Sequence, residues 1–315
     1  MRLPEISISD VRRVRTAFEE RLRFFRGQPV PGRNSFRFEA PNTTLQFHGQ
    51  GLGDLMIIRQ FGRGFQEYVE RNGDPELGKV VISCGGYKAA YEPERGDINL
   101  FWWWSFGSYD DQPEKFLPFY LDEVSVKPDV ILCLSERTQR VAEQMGYETV
   151  YFPLGTQEFK PLGESRSGFG YAGSRGHKES DQERMLLDPY GDREEFEWVA
   201  DFVTPTQLNL WYNTRLVTFG LTKDGQREWG MVNNRVFETL ASGTPFVLEA
   251  HPNVENVLGF DFPYQSSSRE ETVELVESIL RNPAETVRDF RKFSDRVRDD
   301  HSYFARFEKL VEVLK

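Results

Sequence analysis

The sequence predicts an α/β protein of two Rossmann-like domains facing each other across a cleft, and three observations predict it. The chain has 315 residues, more than one ordinary core organises, which gives two units of roughly 150 residues each. From residue 43 onward short apolar runs alternate with helical stripes, the grammar of a parallel sheet covered on both faces. That grammar breaks once, in TQEFKPLGESRSG at 156–168, where proline, glycine, serine and charge occur without a period, and then it restarts.

The elements follow in order. TTLQFH (43–48) reads as a strand, and after GQGLGD an apolar helical stripe runs from Leu55 to a stop at Gly73. KVVISCGG (79–86) is a second strand, and DINLFWWWSFG (97–107) contains a third. EKFLPFYLDEVSV (114–126) has a helical pattern. PDVILCLS (128–135) is a strand, ERTQRVAEQMG a helix closed by Gly146, and ETVYFPLG (148–155) another strand. In the second half FGYAGS (169–174) is a short strand with a glycine turn, and REEFEWVADFV runs into a strand near 197–203. Thr204 then caps a helix with Pro205 at its first position. RLVTFGL (215–221), the helix NNRVFETLASG (233–243) and TPFVLEA (244–250) repeat the unit. A helix begins at Ser268 with Glu271 three residues on, a capping box, and two more helices complete the chain.

Composition narrows the class. The formal net charge is -11, which argues against a dedicated nucleic-acid binder. The first 40 residues are the exception, with nine arginines against five acids. Arg12, Arg13, Arg15, Arg21, Arg23 and Arg26 interleave with Val11, Val14, Phe18, Leu22 and Phe25 at helical spacing. Such a helix packs on the first domain with a solvated face, or makes weak contact with an anionic membrane surface. Cys84 and Cys133 each sit in an apolar run and read as reduced strand residues. No signal peptide opens the sequence and no apolar run is long enough to span a bilayer, so a cytoplasmic location is expected.

The strongest chemical signal is Asn233-Asn234-Arg235-Val236-Phe237-Glu238-Thr239-Leu240-Ala241-Ser242-Gly243-Thr244-Pro245. A helix start at Asn233–Arg235 presents free amides and the positive end of the dipole, which suits a diphosphate. Glu238 lies about one turn in, where a carboxylate accepts hydrogen bonds from ribose hydroxyls. Ala241, Ser242 and Gly243 keep the helix thin against the sheet. This segment resembles the donor-binding signature of group-1 glycosyltransferases (GT4-like), and of their CgeB-like branch in particular. TVYFPLGTQEFKP is similar to the segment that ends the first domain in this superfamily, and FGYAGSRGHKE to the loop that opens the second. DDHSYFARFEKLVEVL resembles the family's final helix, which crosses back to the first domain; Ser302 stands where a threonine is common.

The resemblance implies the GT-B architecture: an acceptor domain over 1–160, a nucleotide-sugar domain over 161–298, and a crossing helix over 299–315. It implies a hexosyl- or pentosyltransferase that moves a sugar from a nucleotide-diphosphate sugar, a UDP-sugar first, to a hydroxyl on a glycan, glycolipid, protein or modified nucleobase. A nucleic-acid acceptor is open but disfavoured by the acidic balance. No cofactor and no metal are expected, because helix amides and cations take the phosphate charge in such enzymes. Many retaining relatives carry two glutamates eight positions apart. Glu238 matches the second, Gly230 stands at the first, and Glu228 is the nearest carboxylate. That departure keeps a catalytically inactive nucleotide-binding or assembly protein as the alternative.

Two further clusters are candidates. Gly173 and Ser174, with Arg175 and Lys178, end a strand at the sheet's carboxyl edge. By the resemblance Arg175 or Lys178 would neutralise the leaving diphosphate, with Arg235 as another phosphate partner, and Thr204 would lie near the base. His48-Gly49-Gln50-Gly51-Leu52-Gly53-Asp54 is a glycine-rich turn, with Gly51 and Gly53 letting backbone approach a ligand. It resembles the Gly-Asp loop of heptosyltransferases, which makes Asp54 the candidate general base and His48 the second candidate. The bland readings are a first-turn helix carboxylate and a satisfied strand-end histidine. In Trp102-Trp103-Trp104 strand alternation sends the outer two one way and the middle one the other, so core packing is the main expectation, beside stacking on sugar.

Overall fold

The computed structural model describes residues 35–49, 52–84, 95–106, 113–173, 181–200 and 204–315. The Arg-rich segment 12–26 and the candidates Gly51, Ser174, Arg175 and Lys178 lie outside the described residues.

The first sheet holds β1 (Ser35–Ala40), β2 (Thr43–His48), β3 (Gly78–Cys84), β4 (Ile98–Trp103), β5 (Val130–Cys133) and β6 (Glu148–Tyr151), side by side in that order. β2 to β6 are parallel and β1 pairs antiparallel with β2. β1 lies before the first strand that the sequence predicts, TTLQFH at 43–48. The pattern is there, with Phe36, Phe38 and Ala40 half-buried and Arg37 and Glu39 exposed, as an edge strand with one wet face requires. Helices α1 (Leu52–Asn72), α2 (Phe116–Glu123) and α3 (Glu136–Gln144) cover this sheet.

Alternation along β4 sorts the tryptophans. Trp102 meets Phe61 of α1 edge-on at 5.3 Å, and its indole N–H donates to the Phe152 carbonyl at 3.1 Å. Trp103 points the other way, to Phe116 of α2 at 5.7 Å and Phe106 at 5.8 Å. Trp104 lies on the Trp102 side, 5.0 Å from it. All three are buried core.

The second sheet holds β7 (Phe169–Ala172), β8 (Phe196–Val199), β9 (Val217–Gly220), β10 (Phe246–Glu249) and β11 (Gln265–Ser266), all parallel, in the order β11-β10-β9-β7-β8. Around it stand α4 (Asp181–Leu186), α5 (Asp188–Gly191), α6 (Pro205–Thr214), α7 (Asp224–Glu228), α8 (Asn234–Ala241), α9 (Val254–Leu258), α10 (Arg269–Arg281) and α11 (Pro283–Asp300), and α12 (Tyr303–Leu314) returns to the first sheet. The helices α4, α5, α7 and α9 were not expected. None exceeds six residues, too short to write a period. Thr204 caps α6 in a full capping box with Gln207. Ser268 caps α10, but Glu271 bonds the Ser267 N–H at 2.7 Å, one residue short of closing the expected box.

The two sheets differ in one respect that decides where a ligand fits. From β7 the chain moves to β8 on one side and then returns to β9 on the other, so the strand order reverses between β7 and β9. Ligands of open α/β sheets bind outside the carboxyl ends of the strands at such a reversal. In the first sheet β2 to β6 follow chain order and no reversal occurs.

The halves are joined twice, and the two passages touch. Thr156 donates its N–H to the His301 carbonyl at 3.0 Å and accepts from the Tyr303 N–H at 2.9 Å, a single parallel bridge. Arg306 of α12 is buried and spends its guanidinium on the carbonyls of Pro153 and Leu154 and on His301 Nδ1. The linker 156–168 is tied down as well: Lys160 and Leu162 N–H groups donate to Asn209 and Asn213 of α6.

Candidate functional site

The helix start at Asn233 is built as the sequence suggests, and more tightly. Asn233 is the N-cap of α8, its side-chain oxygen accepting from the Arg235 N–H at 3.0 Å. Its amide nitrogen donates to Leu221 O at 3.0 Å and Thr222 Oγ1 at 2.9 Å. One side chain therefore both caps the helix and pins the loop after β9. Asn233, Asn234 and Arg235 are partly exposed while Val236 to Ala241 are buried. The amide end is the more open part of the helix.

Arg235 donates to the Tyr171 hydroxyl at 3.2 Å and lies over its ring. Tyr171 lies in β7 two residues before Gly173, and a Cβ on Gly173 would collide with that ring. Gly173 donates to the Val199 carbonyl at 2.9 Å and accepts from the Trp198 indole at 2.8 Å. Thus Gly173, Arg235, Asn233 and Thr222 converge where β7 and β9 end, at the reversal. Thr204 caps α6 after β8. It is exposed, and its hydroxyl is engaged with Gln207 in the α6 cap.

Glu238 is almost fully buried. Its Oε1 accepts from Asn234 Nδ2 and from Gln60 Nε2, each at 2.9 Å, and Gln60 belongs to α1 of the first sheet. Burial pushes the carboxyl up to about 7, against the pull of Asn234, Gln60 and Arg235. Such a group ionises near neutrality.

A second buried carboxylate was missed from the sequence. Glu249 ends β10 and accepts from the Thr222 N–H on Oε1, while Oε2 lies 3.6 Å from Arg227 and accepts no hydrogen bond from a described residue. Burial pushes this carboxyl up to about 7 from an ordinary 4.5, although Thr222 and Arg227 draw it down. Between those two values the folded protein holds a proton that the unfolded chain has released. The group's contribution to stability is complete below about 4.5 and is lost as pH rises through about 7. Glu249→Gln keeps the acceptor and never ionises. We expect it to gain up to about 3 kcal/mol on the native protein between about pH 5 and pH 8 in chemical denaturation. Parallel pH profiles would remove Glu249 as the cause.

On the first domain, Asp54 lies in the first turn of α1, buried, with Oδ1 accepting from the Trp104 indole at 3.0 Å. Gly53 precedes it within the helix. A Cβ on Gly49 would press on Asp54 and Ile58, so the strand-to-helix turn is tight. His48 ends β2, buried, with its Nε2 3.3 Å from Gln46 Nε2. The Trp104 carbonyl accepts from Gln226 of α7 at 3.1 Å, and Trp229 packs 5.1 Å from Phe106. Asp54 is therefore one residue removed from the second domain. Gly230, at the place of the first glutamate in the retaining relatives, follows a tryptophan that anchors the two domains, and Glu228 is exposed.

Among the described residues no three His, Cys, Asp or Glu side chains gather as metal ligands, and no helix is long and apolar enough to cross a membrane. Gln60, Tyr171, Thr222 and Glu249 escaped the sequence reading. Gln60 carried a readable signal, a polar residue in the apolar stripe Ile57–Phe61–Gly64 of α1.

Residues 177–312 match the family described as glycosyl transferase-like. Among solved structures, a mutant of S. aureus TarM in complex with fondaparinux, α-GlcNAc-glycerol and UDP is similar with a TM-score of 0.52 at 9% identity. The similarity covers 79% of this chain and 58% of TarM, so the chain spans little more than half of that relative. The trehalose-6-phosphate synthase OtsA is similar with a TM-score of 0.50 at 11% identity, over 90% of this chain and 89% of the other. Comparison with curated protein sequences gives no match. At these identities the structures speak for the fold, which is GT-B.

Proposed function

We propose that this chain, a glycosyltransferase by the family of its C-terminal half and GT-B by its fold, transfers a hexosyl or pentosyl group from a UDP-sugar to a hydroxyl acceptor without a metal ion. One observation carries the reading: the strand-order reversal of the second sheet lies beside the partly exposed amide end of α8, with Glu238 one turn in. In this reading the diphosphate rests on the Asn233–Arg235 amides and the Arg235 guanidinium, and the ribose meets Glu238. Gly173 lets the backbone after β7 approach the nucleotide, and Thr204 lies towards the base. Asp54 takes the acceptor proton, with His48 as the other candidate, because both close the carboxyl edge of the first sheet next to Gln226 of the second domain. The division into 1–160, 161–298 and 299–315 belongs to this reading. So does a cytoplasmic location, which the unpaired thiols of Cys84 and Cys133 fit. UDP is the donor half to test first, since TarM was solved with it.

A thermal-shift series with nucleoside diphosphates and their sugars tests the reading. At a hundredfold excess over its dissociation constant a ligand adds about 2.7 kcal/mol, a rise of roughly 4 °C for a chain of this size. UDP and one UDP-sugar are expected to give it. If no nucleotide moves the transition, the assignment fails.

A further inference from the structure

We propose that Gln60, on the first domain, is a positioning residue for nucleotide binding by the second: its side-chain amide sets the Glu238 carboxylate from the point where the chain crosses between domains. The proposal rests on the assignment of Glu238 to the nucleotide.

A fully buried amide needs partners at both ends. Gln60 has them, from two separate parts of the chain. Its Nε2 donates to Glu238 Oε1 at 2.9 Å. Its Oε1 accepts from the Gln157 backbone N–H at 3.0 Å and from the Thr156 hydroxyl at 3.4 Å. The backbone N–H fixes which end is oxygen, so the N–H₂ end must face the carboxylate. Thr156 and Gln157 are the outward passage between domains, and the return passage lies against them. Thr156 bridges Ser302, and the Gln157 side-chain oxygen accepts from the Phe304 N–H at 2.9 Å.

Both hydrogen bonds to Glu238 fall on Oε1, and Oε2 accepts none from a described residue. Gln60 and Asn234 therefore hold one oxygen and leave the other to a ribose hydroxyl. The groups facing this carboxyl are Arg235 on its own helix, Tyr212 of α6, Tyr303 of α12 and the Gln60 amide of α1. Of the two hydrogen bonds Glu238 accepts, only the one from Gln60 crosses between domains. Any rotation that parts the domains withdraws Gln60, and the carboxylate loses its orientation and a donor that favours its charged form. Nucleotide binding by the second domain is then tied to the closed arrangement, with no ligand contact made by Gln60 itself.

The test is calorimetric titration of the full chain with UDP from about pH 6 to about pH 8.5. Gln60→Leu should weaken UDP roughly five- to tenfold and move the midpoint of its pH dependence upward. In a Glu238→Gln background the same substitution should have almost no effect, since the two residues act as one unit. Should Gln60→Leu fail to fold, Gln60→Glu decides. It keeps the acceptor for Gln157 and can donate only while protonated, so it should bind UDP near pH 6 and lose it near pH 8, the reverse of the native order. Equal losses in both backgrounds, or an unmoved midpoint, overturn the role of Gln60 while Glu238 keeps its own. Glu238→Gln binding UDP like the native protein, or a native protein that binds no UDP, removes the nucleotide assignment instead.

Discussion

Replacing Glu238 with alanine is expected to weaken UDP binding roughly tenfold or more, the cost of a lost charged hydrogen bond of about 1.5–3 kcal/mol. The effect has a pH signature. Burial holds the Glu238 carboxyl at about 7, and a ribose hydroxyl donates best to the ionised form. Affinity should therefore rise with pH through about 7 and then level off. The terminal phosphate of UDP titrates near pH 6 as well, so the native profile alone does not isolate the residue. Glu238→Gln does, because it keeps the shape and loses the titration. The difference between the two profiles is the contribution of Glu238. Alanine also leaves the Gln60 and Asn234 amides facing a void, so calorimetry must be paired with a denaturation curve. Unchanged UDP affinity in a folded alanine variant would end the ribose assignment.

What could be read from the sequence was whatever one segment determines alone. The helix start at Asn233 was legible because its cap, its amides and its glutamate lie within six residues. The tryptophan sorting was legible because alternation in β4 is local. The reversal between β7 and β9 was not, since β8 and β9 look alike as apolar runs and only pairing tells which side of β7 each takes. Gln60 and Glu238 are 178 positions apart, and nothing local in either announces the other. Glu249 stands at the polar end of the run TPFVLEA, and nothing in that run marks it as buried. Its burial depends on Thr222 and Arg227, which arrive from the loop after β9 and from α7. Gly230, at the place of the first glutamate in the retaining relatives, has a φ of 73°, the left-handed region that favours glycine, and its neighbour Trp229 packs on Phe106 and Trp103 of the first domain.

That contact and the crossover together make the relative position of the domains part of the site, and Gly64 is where this can be tested with a single methyl group. Gly64 lies inside α1, where alanine would ordinarily add about 1 kcal/mol through helix propensity. Here a Cβ would fall well inside contact distance of the Tyr303 carbonyl carbon, with the Phe304 nitrogen 2.6 Å away, at the start of α12. Those are backbone atoms. They cannot swing aside as a side-chain tip would, and Tyr303 is itself fully buried against Phe61 and Trp102. Overpacking of this kind costs about 1–3 kcal/mol or more, and α12 is also held by Thr156 and Arg306, which limits its retreat. The clash therefore outweighs the propensity gain. We expect Gly64→Ala to lose about 1–2 kcal/mol net, a fall in Tm of roughly 2–3 °C for a chain of 315 residues. Gly191→Ala in α5, where a Cβ meets nothing within 4 Å, should be neutral or slightly stabilising and serves as the control. Because α12 carries the return passage beside Gln157, Gly64→Ala should also weaken UDP binding, although Gly64 lies on the first domain and outside the nucleotide site. A Tm that rises on Gly64→Ala would mean that the crossover yields to a methyl group and does not fix the position of α12.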